Sequence, residues 1–94
     1  IAEPAADVAV AAALISALSG ETLPSDTVYF GEIGLAGEIR QVAQPDLRLK
    51  ESGKLGFERA AIPKLSKKTG KAAPEGMQVN ELGHVRELAD LLRV

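Results

Sequence analysis

The spacing of apolar residues predicts a helix near the start of the chain. Residues 5–18 are rich in alanine and contain neither glycine nor proline, and a proline and a glycine lie just outside them. Within this segment Val10, Leu14 and Leu18 recur every four residues. Because residues at this spacing share one face of a helix, we expect these three side chains to form its buried stripe.

In the middle of the chain the pattern changes to that of strands. Residues 27–30 are β-branched or aromatic, which favours a strand. Residues 31–37 contain three glycines and predict a bend followed by a tight turn. Residues 38–42 alternate polar and apolar side chains, as expected of a half-buried strand that pairs with the first one.

Helical and extended patterns alternate in the second half. The predicted elements are a helix at 45–54, a strand at 59–62 stopped by Pro63, a mobile connection at 64–76, a strand at 77–79 and an amphipathic helix at 84–92. Leu49 and Leu55 are expected on the apolar face of the second helix, and Val85, Leu88, Leu91 and Leu92 on that of the last. Together these elements predict one α+β domain, an α/β sandwich, over residues 1–94.

Composition restricts the chemistry that this domain can contain. The 94 residues include no cysteine, which excludes a disulfide framework, a thiolate nucleophile and a zinc-finger ligand set, and favours a reducing, cytoplasmic compartment. No apolar stretch is long enough to cross a bilayer, and no basic leader precedes one. Since the first residue is isoleucine, we expect the chain to be a fragment whose neighbour lies on its N-terminal side.

Charge is distributed unevenly along the chain although the net charge is only −2. Residues 1–38 contain six acidic residues and no lysine or arginine, whereas residues 48–71 contain eight basic residues and two acidic ones. Such segregation can create a positive patch that attracts a polyanion. The alternative is that these charges only keep the domain in solution.

The segment from Phe30 to Arg40, Phe-Gly-Glu-Ile-Gly-Leu-Ala-Gly-Glu-Ile-Arg, is the most distinctive motif of the chain. With the sequence around Pro4 and residues 55–64 and 73–77, it resembles the Lon-protease-like C-terminal domain of the RadA (Sms) family of bacterial DNA-repair proteins. The resemblance implies the Lon-protease-like fold, that of the second domain of ribosomal protein S5. It also implies a larger protein with a zinc finger and a RecA-like ATPase that drives DNA branch migration, and those absent parts would hold Zn²⁺, ATP and Mg²⁺.

The same resemblance indicates that the catalytic dyad of a Lon peptidase is missing. Ala5 stands where the peptidase has its serine, and Arg48 where it has its lysine. A methyl group cannot attack a carbonyl, and a guanidinium stays protonated and cannot serve as a general base. We therefore expect a non-proteolytic domain with no catalytic residue, no metal and no cofactor of its own.

What the family implies instead is a platform for a hexameric ring and a surface that contacts DNA. The candidate DNA-binding residues are Arg48, Lys50, Lys54, Lys64, Lys67, Lys68 and Lys71, with Arg40 as a weaker candidate. Lysine and arginine neutralise phosphates, and with only three aromatic residues the chain has no platform for stacking bases. We expect contact with the backbone of duplex or branched DNA without sequence preference.

Two other functions remain open from the sequence. A purely structural oligomerisation domain would use its lysines only for solvation. A divergent Ser–Lys-type peptidase would need an activated hydroxyl close to Arg48. His84, the single histidine, is expected to be a helix cap or surface residue, and Glu32 and Glu38 are expected to fix the turn or a subunit contact.

Overall fold

The computed structural model describes residues 4–65 and 74–92. After a 3-10 turn at Pro4–Ala6, the elements in chain order are α1 (Asp7–Ser19), β1 (Thr27–Tyr29), β2 (Glu32–Ile33), β3 (Ile39–Arg40), α2 (Pro45–Lys54), β4 (Arg59–Pro63), β5 (Gln78–Leu82) and α3 (Val85–Leu91). The predicted α+β class is confirmed over this part of the chain. None of the helices described there is long and apolar enough to cross a membrane.

The strands form a parallel sheet in the order β1-β4-β5 and a separate antiparallel hairpin of β2 and β3. Val28 pairs with Ala60, and Ala60 with Val79. As the central strand, β4 is covered on both faces, which explains its run of small and branched apolar residues and the burial of all but its first residue.

Alternate residues of the sheet face two different hydrophobic clusters, one on each side. The cluster shared by α1, α3 and the hairpin contains Val8, Ala12, Ile39, Ala61, Leu82 and Leu88. The cluster under α2 contains Phe30, Leu49, Ala60 and Ile62. Because Ala61 belongs to the first cluster and its two neighbours to the second, β4 divides the core into an α/β/α sandwich.

The first helix is confirmed, but its predicted buried stripe is wrong. Gly20 ends α1 in the left-handed conformation with φ 78°. Val10, Leu14 and Leu18 are 56%, 59% and 88% exposed, whereas Val8 is fully buried. The helix is rotated so that its smaller side chains face the hairpin and sheet, where Val8 donates its backbone N–H to the Gly31 carbonyl at 3.1 Å.

The predicted pairing of residues 38–42 with the first strand is also wrong. The strand shortens to β3 and pairs with β2, Ile39 lying opposite Ile33. Gly31 causes the difference, because its φ of 146° turns the chain out of the sheet directly after Phe30. The free edge of β1 then pairs in parallel with β4, and Phe30 donates its N–H to the Ala61 carbonyl at 3.2 Å.

The later elements lie close to their predicted positions, but on the expected apolar face of α3 Leu88 is fully buried whereas Leu91 is 38% exposed. The second helix has the predicted bounds, and Leu49 on it is fully buried. Leu55 was expected on the same apolar face but is 77% exposed, because it lies beyond the last helical residue at the C-cap. The strand expected at 77–79 extends to Leu82, and the centre of the predicted mobile connection, residues 66–73, lies outside the described residues.

Candidate functional site

Backbone hydrogen bonds anchor the first turn of α1 to the hairpin. Gly31 donates its N–H to the Ala5 carbonyl at 2.8 Å and accepts the N–H of Val8 at 3.1 Å. A Cβ at Gly31 would lie 2.8 Å from Val8 Cγ2, so this close approach requires glycine. Asp7 adds a side-chain bond, because its Oδ2 accepts the N–H of Ile33 at 3.0 Å. These contacts bury Ala5 at the edge of the sheet.

Ala5 and Arg48, the two positions that resemble the peptidase dyad, line one shallow depression of about 380 Å³. Its walls come from the start of α1, the end of β1 and the middle of α2. The residues lining it are Ala5, Ala6, Ala9, Val28, Tyr29, Phe30, Arg48, Glu51 and Ser52. Residues 43 positions apart in sequence are therefore brought into one site at the β1 edge of the sheet, between the start of α1 and the middle of α2.

Two polar side chains in this depression, those of Arg48 and Ser52, donate hydrogen bonds to backbone carbonyls. Arg48 donates its Nε–H to the Ala43 carbonyl at 2.9 Å, and Ser52 donates its hydroxyl to the Arg48 carbonyl at 2.7 Å. Such a bond to the preceding turn is common for a helical serine and directs its proton away from any base. Burial raises the pKa of Tyr29, so its phenol stays neutral at physiological pH. No histidine or lysine is among the described residues that line the depression.

The basic candidates lie on several elements. Lys50 and Lys54 occupy one side of α2 at i and i+4, and both are exposed, whereas Arg48 points from another side of the helix. Lys54 Nζ lies 3.6 Å from Glu51 Oε1. Lys64 is exposed just after β4. Lys67, Lys68 and Lys71 lie outside the described residues.

Arg40 is held by two carboxylates of the hairpin. Its guanidinium lies 3.1 Å from Glu38 Oε2 and 3.7 Å from Glu32 Oε1. Glu38 also accepts the N–H of Ala36 at 3.1 Å, which confirms the prediction that this acid fixes the turn. Hydrogen bonds from its own backbone N–H and from Arg40 lower the pKa of Glu38 below its ordinary value of 4.5.

His84 joins the hairpin to α3. Its Nδ1 accepts the N–H of Arg86 at 3.1 Å, which confirms the prediction of a helix cap, and its Nε2 lies 3.0 Å from the Ala36 carbonyl. Since Nδ1 acts as an acceptor, Nε2 is the nitrogen that donates. The second contact, like the bond from Asp7 to Ile33, was missed in the sequence because it joins residues far apart along the chain.

A group of three or more His, Asp or Glu side chains that could hold a metal ion does not occur among residues 4–65 and 74–92.

The comparison with known proteins gives one consistent result. The chain is 46% identical over 94 residues to the DNA repair protein RadA of Escherichia coli, covering all of this chain and 19% of that protein. It is 44% identical over 90 residues to RadA of Aquifex aeolicus, covering 96% and 19%, and 59% identical over 63 residues to RadA of Brucella abortus, covering 67% and 14%. By sequence, the chain matches a segment of RadA.

The chain spans about a fifth of the length of these relatives. No protein-family model matches the chain. The similarity to E. coli RadA extends over every element described above, including the depression and the hairpin. The resemblance expected from the motif at Phe30–Arg40 is therefore confirmed.

Proposed function

We propose that this segment is a non-proteolytic, Lon-like domain of a DNA repair protein, where it serves as an oligomerisation platform and as a DNA-contacting surface without sequence preference. The relatives named DNA repair protein RadA support a role in DNA repair. The observation that supports the non-proteolytic part is the depression that Ala5 and Arg48 share. Both positions at which the resemblance implies a Ser–Lys dyad line it, and in this proposal their methyl group and guanidinium stand in place of nucleophile and base.

DNA contact is supported by the exposed side of α2. Lys50 and Lys54 lie one helical turn apart on this side and can approach successive phosphates, releasing condensed counterions. Arg40 is expected to contribute less, because Glu32 and Glu38 compete with phosphate for its guanidinium. Lys64, Lys67, Lys68 and Lys71 remain candidates on the connection that follows β4.

The remaining properties belong to the longer protein. ATP with Mg²⁺ would power branch migration from a RecA-like part, and Zn²⁺ would occupy a zinc finger, in the cytoplasm. A ring of six copies would bring six weak DNA contacts to one duplex, which raises the overall affinity without any new contact.

Charge reversal on α2 tests the proposed contact with DNA. In fluorescence anisotropy with a labelled duplex, Lys50→Glu should weaken binding and make the slope of log affinity against log salt shallower by about one. Arg86→Glu is the matched control, because it makes the same change in net charge on α3, across the sheet from α2. Equal effects of the two variants, or no salt-sensitive binding by the wild type, would favour a purely structural domain.

The peptidase alternative rests on Ser52, whose hydroxyl lies in the depression beside Arg48. Because that hydroxyl donates to a backbone carbonyl, we expect no reaction with a fluorophosphonate probe and no cleavage of casein. Labelling of the wild type that disappears in Ser52→Ala would overturn the non-proteolytic assignment.

A further inference from the structure

We propose that the outer edge of β5 binds an extended, basic segment of a partner protein, which joins the sheet as a further strand. The inference goes beyond the proposed function, because it requires neither DNA nor assembly of the domain. It starts from the position of β5, which is the last strand in the order β1-β4-β5 and therefore has one side without a neighbouring strand.

The backbone of β5 directs hydrogen-bonding groups to this outer side. Gln78 donates its N–H to the Glu58 carbonyl at 3.0 Å, and in a parallel pair every second residue bonds to the same neighbour. The N–H and C=O groups of Val79 and Glu81 consequently face away from β4. They make no hydrogen bond with the rest of the described chain, so water or another polypeptide has to satisfy them.

An acidic depression lies along the same edge. It is open, has a volume of about 630 Å³ and is formed by β5 and α3. Glu81 from β5 and Glu87 and Asp90 from α3 line it, with Val79 and Leu91 as apolar contacts. All three carboxylates are exposed, and the described lining contains no lysine or arginine.

Two of these carboxylates are held in place by backbone groups. Glu81 Oε1 accepts the N–H of Leu65 at 2.7 Å, and Glu87 Oε1 accepts the N–H of Gly83 at 3.0 Å. Within residues 4–65 and 74–92, neither they nor Asp90 form an ion pair. Carboxylates that are positioned in this way can accept charge-assisted hydrogen bonds from the lysines or arginines of a bound strand.

The neighbouring cations leave the edge negative. Arg86 is directed toward the hairpin, where its Nε lies 3.4 Å from His84 Nδ1. Lys64 approaches the end of β5, since its Nζ lies 3.4 Å from the position that a Cβ would have at Gly83. One ammonium can offset only one of the three carboxylates, so the depression retains an excess of negative charge.

This charge determines which strand fits. Two β5 edges side by side would bring the Glu81 carboxylates of two copies together, and like charges on paired strands are destabilising. A strand with alternating basic residues has the opposite charge. Its side chains on one face would lie near Glu87 and Asp90, and those on the other face near Glu81, which shares the face of Val79.

Amide hydrogen exchange of the wild-type chain tests strand addition residue by residue. The probe is a short, capped peptide of alternating lysine and valine. At saturation, exchange of the Val79 and Glu81 N–H groups should slow about tenfold, because they gain hydrogen-bond acceptors. The N–H groups of Gln78 and Asn80 already face β4 and should change little.

Fluorescence anisotropy with the labelled peptide tests the charges. Asp90→Asn should weaken binding about threefold, as expected for one exposed ion pair. Asp46→Asn is the matched control, because Asp46 is also an exposed helical aspartate but lies on α2 and does not line the depression. Glu81→Gln should weaken binding to a similar extent. Glu81→Pro should weaken it about tenfold, since it also removes an outward N–H that β4 does not use.

Four results would overturn the proposal. They are a peptide that does not bind, a peptide that binds without slowing exchange at Val79 and Glu81, equal effects of Asp90→Asn and Asp46→Asn, and equally tight binding when glutamate replaces lysine in the peptide. Exchange at Val79 and Glu81 that slows as the concentration of the chain alone is raised would assign the edge to a second copy and would likewise reject a basic partner.

Discussion

At the scale of single residues, Gly31 determines how closely α1 approaches the hairpin. It combines a φ of 146° with one backbone hydrogen bond to the 3-10 turn, at Ala5, and one to α1, at Val8. Its missing side chain also matters, because a Cβ would lie 2.8 Å from Val8 Cγ2 and 3.2 Å from Ile39 Cγ2. The sequence motif predicted a bend at this glycine, but the side chains that pack against it, those of Val8 and Ile39, were identified only from the fold.

Gly31→Ala should therefore be strongly destabilising. We expect the free energy of unfolding to fall by about 2–4 kcal/mol, because backbone strain and overpacking add. Urea denaturation followed by circular dichroism measures the loss. Gly20→Ala is the matched control, since Gly20 also has a positive φ but a Cβ there meets nothing within 4 Å, so only about 1 kcal/mol should be lost. Equal losses in the two variants would contradict the steric part of the explanation.

At the scale of elements, the hairpin and α3 form one unit through polar contacts of the turn. Glu38 joins the turn to β3 by accepting from Ala36 and pairing with Arg40, while His84 joins the same turn to α3. Each contact depends on a charged or polar group rather than on buried area. The stability of this unit should consequently depend on pH.

Glu38 provides the pH dependence that can be tested. Its pKa is lower in the folded protein than its ordinary value of 4.5, so its carboxylate stabilises the folded state above that pH. As the pH falls through 4.5 and below, protonation should progressively remove this contribution. Thermal unfolding of the wild type and of Glu38→Gln checks this, since the difference in melting temperature should be present at neutral pH and shrink in acid. A difference that stays constant in acid would contradict it.

At the scale of the whole molecule, the central strand β4 separates two small clusters with different helices. Leu49 is fully buried in the cluster under α2, although α2 carries several charged residues and little other apolar surface. The attachment of α2, and with it the position of Arg48 and Lys50, therefore depends on few side chains. Loss of Leu49 should affect both the stability of the domain and the depression shared with Ala5.

Leu49→Ala should lower the free energy of unfolding by about 2–5 kcal/mol, because it leaves a cavity in a closed core. Leu55→Ala should change it by less than about 0.5 kcal/mol, since Leu55 is 77% exposed. Denaturant titrations of the two variants give the comparison. A large loss in Leu55→Ala would show that the sequence-based assignment of Leu55 to the apolar face was correct after all.

Much of the fold could be predicted from local patterns. The second helix has the predicted bounds because a proline at its start acts through the backbone of the first turn. The end of α1 at Gly20 and the cap at His84 are equally local. The motif at Phe30–Arg40, together with the sequence around Pro4 and residues 55–64 and 73–77, indicated the RadA relatives.

The burial of particular side chains and the pairing of strands depended on the tertiary structure. The sequence alone located the three helices and the strands β1 and β4, and it predicted a resemblance in which Ala5 and Arg48 occupy the positions of a nucleophile and a base. Which face of α1 is buried, and whether residues 38–42 pair with the first strand, depended on Gly31 and on contacts with distant segments. That Ala5 and Arg48 line the same depression was likewise decided by packing, because α1 and α2 cover opposite faces of the sheet and approach each other only at its β1 edge.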